Sequence, residues 1–331
     1  MAAKSKKFRK LRLISLIEAI IIMILCVALI WAVLIRGRGE EQTVPVSAEL
    51  SSAAGNNEDE DPEVRTRAVI DKEETFYQLD GKKILLSDST YGQIFLPVYE
   101  NVQACSLDMN SIVTRNGYSF YKPGGRITSI PGIDVSVHQG AIDWQQVRDA
   151  GVEFAIIRVG YRTYGGGEIK LDEGFVDNIS GATAAGLKVG VYFFSQAVTV
   201  DEAVAEADAV LDAIAPYDIT YPVVYDWELI YDDTARTDDI PVDVLTDSCI
   251  AFCERVKSAG YTPMIYQNKG TTLFKLDLPR LQDYDFWLAE YGSEPTYYYD
   301  YQMWQYSCTG RIPGIAGEVD LNISFKDYSA E

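Results

Sequence analysis

Tyr221-Pro222-Val223-Val224-Tyr225-Asp226-Trp227-Glu228 reads as a short buried strand that ends in two carboxylates. From Val223 the run is apolar and β-branched, the composition of a strand covered on both faces. Side chains alternate along a strand, so Asp226 and Glu228 share one face, with Cα atoms about 6.6 Å apart. Two acids on one face are the minimum equipment for general acid–base work on a glycosidic bond. Asp-x-Glu is short and common, however, so the pair takes its meaning from what the chain places around it.

Outward from that strand, apolar runs alternate with helical patterns from Gly132 onward. Strands are expected at 133–136, 154–159, 189–194, 223–226, 263–266, 286–288, 303–306 and 319–322. Helical patterns fill the gaps at about 142–150, 173–185, 201–214 and 241–259. In the third of these Val204, Ala207, Val210, Leu211 and Ile214 form an apolar stripe. Eight strands with intervening helices point to an α/β fold, a parallel (β/α)8-like barrel over residues 131–331. The later connections are short for full helices, so its second half is expected to be irregular.

The rest of the chain is read as appendages. Residues 1–12 carry six basic side chains, and residues 13–35 are nearly all apolar, about 35 Å as a helix. That is enough to cross a lipid bilayer, and the basic tail 1–12 places the N-terminus in the cytoplasm. A cleaved signal peptide would have a shorter apolar region closing on a small-x-small site, whereas Val33-Leu34-Ile35-Arg36 follows here. The expectation is therefore a single-pass transmembrane anchor with the large domain outside the cell membrane. Residues 36–65, with Asn56-Asn57-Glu58-Asp59-Glu60-Asp61, have too little apolar surface to fold and read as an acidic linker. Residues 66–130 read as a small β-rich segment packed on its neighbour. A hairpin is expected from 75–79 through Asp80-Gly81 to 82–86, with further strands at 94–99 and 118–121.

Composition removes several function classes. A net charge of −20 excludes a nucleic-acid binder that works by neutralising phosphates. Glu18 is the only acid among the first 35 residues, so the acidic excess lies beyond them. The five cysteines form no Cys-x-x-Cys pair, and Cys249 and Cys253, sharing a helix face, read as small buried hydrophobes in preference to a strained disulfide. His138 is the only histidine, which leaves no Ser-His-Asp site and no catalytic zinc to expect. Calcium would want an Asp-x-Asp-x-Asp-Gly spacing that is missing, so neither metal nor cofactor is called for.

A barrel of this kind builds its site at the C-terminal ends of its strands. Standing there are Asp134 and His138, Tyr192, Asp226 and Glu228, Tyr266, Trp287 and Tyr291, Trp304 and Gln305, and Asp320. Acids for chemistry, flat rings for pyranose faces and amides for hydroxyl and acetamido groups make up the inventory of a sugar site. Each has a plainer alternative: His138 as a satisfied core histidine, Trp287, Tyr291 and Trp304 as core, and Arg158 as an ion-pair partner inside the barrel. The run Tyr297-Tyr298-Tyr299-Asp300-Tyr301 reads equally as a sugar platform or as a loop with half-buried rings.

Several motifs together resemble one family. Gly132-Ile133-Asp134-Val135-Ser136-Val137-His138-Gln139-Gly140 with Ile142-Asp143-Trp144 resembles the opening of the glycoside hydrolase family 25 muramidases, the Chalaropsis-type lysozymes. The likeness continues in order through 155–160, 188–194, 222–228 and 286–291, and closes with 303–307 and 314–322. It implies hydrolysis of the β-1,4 bond between N-acetylmuramic acid and N-acetylglucosamine, with peptidoglycan glycan strands as partner. It implies Glu228 as proton donor and Asp226 as its partner, orienting the substrate acetamido group or stabilising the positive transition state. Asp134 and Asp320 would hold donor and substrate. A proton donor among other carboxylates under aromatic rings should have a raised pKa. Competing readings are a wall-binding scaffold without turnover and a hydrolase of another N-acetylglucosamine polymer such as chitin.

Overall fold

The computed structural model describes residues 83–88, 92–230 and 235–330. The tail 1–12, the apolar stretch 13–35, the linker 36–65 and the first strand of the expected hairpin lie outside the described residues. Among the described residues no helix is long and apolar enough to cross a membrane.

Two hairpins precede the large sheet. β1 (Lys83–Asp88) pairs antiparallel with β2 (Gly92–Pro97), so the run expected to close a turn at Asp80-Gly81 finds its described partner on its C-terminal side. β3 (Ile112–Arg115) and β4 (Tyr118–Tyr121) are joined by Asn116-Gly117, both at positive φ, the turn whose twist matches that of two antiparallel strands. The second hairpin and the segment before it pack on loops near the C-terminus. The Tyr118 hydroxyl donates to the Arg311 carbonyl, and the Cys105 N–H to that of Tyr298. Tyr297, Tyr299 and Tyr301 are buried there, so alternate rings of the tyrosine run are core and form no exposed platform.

All eight expected barrel strands are present: β5 (Ile130–Val135), β6 (Phe154–Arg162), β8 (Lys188–Ser195), β9 (Val223–Trp227), β10 (Pro263–Asn268), β11 (Asp285–Ala289), β12 (Met303–Gly310) and β13 (Val319–Ser324). They close into a barrel because β5 pairs with both β6 and β13. β7 (Ile169–Leu171), which has no counterpart among the expected strands, folds back antiparallel on β6. The helices α1 (Trp144–Asp149), α2 (Phe175–Ala184), α3 (Val200–Ile214) and α4 (Val242–Ser258) fall where their patterns put them, and α5 (Lys269–Lys275) adds a short fifth.

One expectation is corrected. The barrel is not parallel throughout, because β13 runs antiparallel to both β12 and β5. Only residues 311–318 separate β12 from β13, and a parallel return needs a crossover of a dozen residues or more. The chain can only turn back. That reversal brings the beginning of β13, not its end, to the rim where the parallel strands finish.

Two cores flank the strands. Outward-facing Val223, Tyr225 and Trp227 of β9 pack under the helices, with the free thiols Cys249 and Cys253 of α4 among their neighbours. Inside the barrel Phe154, Ile156, Tyr221, Val224, Met264, Met303 and Tyr328 form an apolar plug. Gly132 permits it: a Cβ at that position would overlap the Phe154 ring.

Candidate active site

Above the plug the same inward-facing positions turn polar. On β5 Gly132 is followed two residues on by Asp134; on β9 Val224 by Asp226; on β12 Met303 by Gln305. Strand periodicity thus carries each acid or amide onto the wall of one chamber. Asp134 lies directly across from Asp320 in the β5–β13 register, so the reversed strand delivers its acid to the rim. Asp134, Tyr192, Asp226, Glu228, Tyr266, Trp287, Tyr291, Gln305 and Asp320 line one pocket of about 170 Å³. Nine of the eleven residues expected at a site are therefore brought together.

The other two are not. Trp304 is fully buried on the opposite face of β12 from Gln305, and its indole N–H donates to the Glu290 carbonyl at 2.7 Å. Alternation forces this: if Gln305 points in, Trp304 points out. His138 is exposed on the short turn Val137–Gln139, so it is neither a pocket residue nor a core histidine. Arg158 is the ion-pair partner anticipated, reaching Asp172 at 2.6 Å.

The acids are held differently. Asp134 accepts from Asn322 Nδ2 at 2.7 Å and from Gln305 Nε2 at 2.8 Å, both on Oδ2. Those amides are fixed in turn: the Trp287 indole N–H donates to Asn322 Oδ1, while the Tyr266 and Tyr291 hydroxyls donate to Gln305 Oε1. Asn322, two residues after Asp320 and on the same face of β13, thus enters the site by holding Asp134. Asp226 has a buried Oδ1 with no hydrogen-bond partner.

Burial and mutual repulsion shape their ionisation. Desolvation pushes Asp134 well above the carboxylate range, with Asp320 adding to it and the two amides opposing. Asp226 rises well above that range by desolvation, then by Glu228 and Asp134, against a downward pull from Arg158. Glu228 is pushed up to about 7 by burial and then by Asp320. Asp320 itself is raised to about 6 by burial. Four carboxylates this close do not all ionise together, so at neutral pH the pocket retains protons. It can hand a proton to a bound oxygen while a neighbouring carboxylate faces positive charge.

Residues 133–315 match the family model for glycosyl hydrolases family 25. The chain belongs to that family. It is similar to the autolytic lysozyme of Clostridium acetobutylicum, 28% identical over 58% of this chain and 54% of the relative. It is also similar to lysozyme M1 of Streptomyces globisporus, 28% identical over 59% of this chain and 67% of that protein. The chain thus spans about half to two thirds of the length of these relatives. Among solved structures the fold is shared with the modular autolysin LytC of Streptococcus pneumoniae, at a TM-score of 0.52 and 23% identity, over 75% of this chain and 57% of that one. The family match runs from within β5 past the end of β12 and stops short of β13, the barrel strand that supplies Asp320 and Asn322.

Proposed function

We propose that this family 25 member is a muramidase that cleaves the β-1,4 bond between N-acetylmuramic acid and N-acetylglucosamine in peptidoglycan. The observation that carries this reading is the convergence of Asp134, Asp226, Asp320 and Glu228, just past the end of β9, on one pocket, where burial raises Glu228 to about 7. Protonated near neutrality, Glu228 donates to the leaving glycosidic oxygen as the bond breaks. Asp226, whose Oδ1 has no partner within the protein, faces the positive charge that develops at the anomeric carbon. Asp320 adds its repulsion to burial in keeping the donor's proton in place, and Asp134 is clamped beside it by two amides. Tyr192, Tyr266, Trp287 and Tyr291 supply the ring faces and hydroxyls against which a pyranose lies.

Glu228→Gln keeps the shape of the side chain and removes the transferable proton. It is expected to cut lysis of purified cell wall by about 10²- to 10⁴-fold, with N-acetylmuramic acid at the new reducing ends of wild-type digests. Wild-type lysis by the variant would sink the assignment. Product ends carrying N-acetylglucosamine instead would move the cleavage to the other bond.

Residues 13–35 anchor the chain in the membrane by a single pass, with residues 1–12 cytoplasmic and the barrel facing the wall. The support is the length of the apolar run and the basic residues before it. Recovery of the mature protein from the medium with its N-terminus removed would overturn this placement.

A further inference from the structure

Outside the pocket the barrel holds another fully buried carboxylate, Glu206 of α3. Its Oε1 accepts from Arg162 Nε at 2.6 Å and its Oε2 from Ser195 Oγ at 2.6 Å, and the Gln196 backbone N–H donates to it as well. Arg162 Nη1 and Nη2 also donate to the carbonyls of Gly167 and Glu202. A buried ion pair adds little net stability, and its best-attested use is to hold a geometry. Here the geometry held is the end of β8, Ser195 and Gln196.

From that end the Gln196 side chain, also fully buried, reaches the site. Its Nε2 donates to the Glu228 main-chain carbonyl at 3.1 Å, and its Oε1 accepts from Thr237 Oγ1 at 2.6 Å. β8 and β9 pair in parallel as far as Ser195 with Trp227. One residue further the ladder stops and Glu228 leaves the sheet, so its position depends on something other than a strand rung. The Gln196 amide supplies a bond where the next rung would fall.

We propose that Gln196 is a positioning residue for Glu228, clasping its main chain to the buried Arg162–Glu206 pair and, through Thr237, to the segment leading into α4. This rests on Glu228 being the proton donor. The clasp works by direction: a carboxyl displaced by about 1 Å from its acceptor loses up to about 10²-fold in rate.

The test uses the full-length chain with Gln196→Met, which keeps side-chain length and removes both amide bonds, and Thr237→Val, which removes only one hydroxyl. Gln196→Met is expected to lower kcat on peptidoglycan about tenfold with KM changed less than about twofold. The alkaline limb of its kcat–pH profile is expected to move to lower pH, because a loosened Glu228 meets more water. The charged and titratable groups around Glu228 (Asp134, Asp226, Asp320, Tyr266, Tyr291 and Arg158) stay as they are in both variants. Thr237→Val should act in the same direction with a smaller effect, and it decides the matter if Gln196→Met fails to fold. Wild-type kcat and pH profile, or a loss that tracks folded protein while the pH profile stays fixed, would overturn the proposal. With Glu228→Gln inactive in the same assay, only the clasp falls; with Glu228→Gln active, the donor assignment falls first.

Discussion

The inside of this barrel is two layers with opposite chemistry built on the same strands. The lower layer is apolar and ring-packed: Phe154 stacks on Tyr221 with centroids 4.9 Å apart, and Tyr221 meets Tyr328 edge-on at 5.5 Å. The upper layer, two residues further along each parallel strand, crowds Asp134 and Asp226 against Glu228 and Asp320. The lower layer gains from burial at every contact. Each carboxylate of the upper layer is disfavoured by burial, and the layer persists because the plug below and the helices outside hold the strands in place. One part of the interior stabilises the fold, and the other draws on that stability to keep protons where chemistry needs them.

The widest separation between the layers is expected in catalysis, where Glu228→Gln removes the activity and leaves the plug untouched. The reverse substitution is Gly132→Ala. Its new Cβ meets the Phe154 ring, which is itself fully buried and stacked on Tyr221, so neither group has room to retreat. A loss of about 3 kcal/mol in unfolding free energy is expected from such overpacking, read by denaturant titration. The fraction that remains folded should hydrolyse substrate with KM unchanged. A Gly132→Ala variant as stable as wild type would mean that the plug is looser than its ring stacking implies.

A smaller effect tests the cost of the upper layer. Glu228 titrates near 7 when folded against an ordinary 4.5, so the folded chain binds this proton more tightly than the unfolded one. The stability tied to it is complete below 4.5 and is lost as pH climbs through about 7. Asp320, raised to about 6 from 3.8, acts in the same sense over a lower window. Glu228→Gln, inactive as an enzyme, is therefore expected to be more stable than wild type by about 2 kcal/mol at pH 8 and about equal to it at pH 4. Thermal melts at the two pH values measure this. Equal melting at pH 8 would show that the carboxylate is not penalised by its surroundings.

The lower layer and the outer shell are the readable parts of the chain. Short β-branched runs, separated by amphipathic stretches such as 201–214, locate the eight strands and the helices α1 to α4 because burial on both faces leaves that composition behind. Strand ends then lead to Asp134, Asp226, Glu228 and Asp320. Direction is harder to read: the shortness of the later connections signals an irregular second half, but it takes the fold to show that 311–318 returns β13 antiparallel. The pairing of β1 with Gly92–Pro97 is likewise outside the expectation, which looks to the local turn signal Asp80-Gly81, whose first strand lies outside the described residues. Asn322 falls in the closing motif 314–322, but that it orients Asp134 rather than meeting a sugar shows only in the folded chain.

Trp304 and Tyr291 separate proximity in sequence from orientation, and they give the smallest effects expected. Trp304 sits one residue from Gln305, yet it lies in the outer core with its indole N–H on the Glu290 carbonyl, while Tyr291 stands at the pocket rim, 56% exposed, with its hydroxyl 3.2 Å from Gln305 Oε1. Trp304→Phe loses a buried hydrogen bond and some packing, so it should lower stability by about 1–2 kcal/mol with KM for glycan unchanged. Tyr291→Phe keeps the ring and loses a rim hydroxyl, so stability should hold within about 0.5 kcal/mol while KM rises about two- to fivefold. The contrast is diagnostic because the two rings differ in which face of the barrel wall they occupy. If Trp304→Phe altered KM and Tyr291→Phe altered only stability, the inward and outward assignments along β12 and the following rim would have to be exchanged, and Gln305 would lose its place beside Asp134.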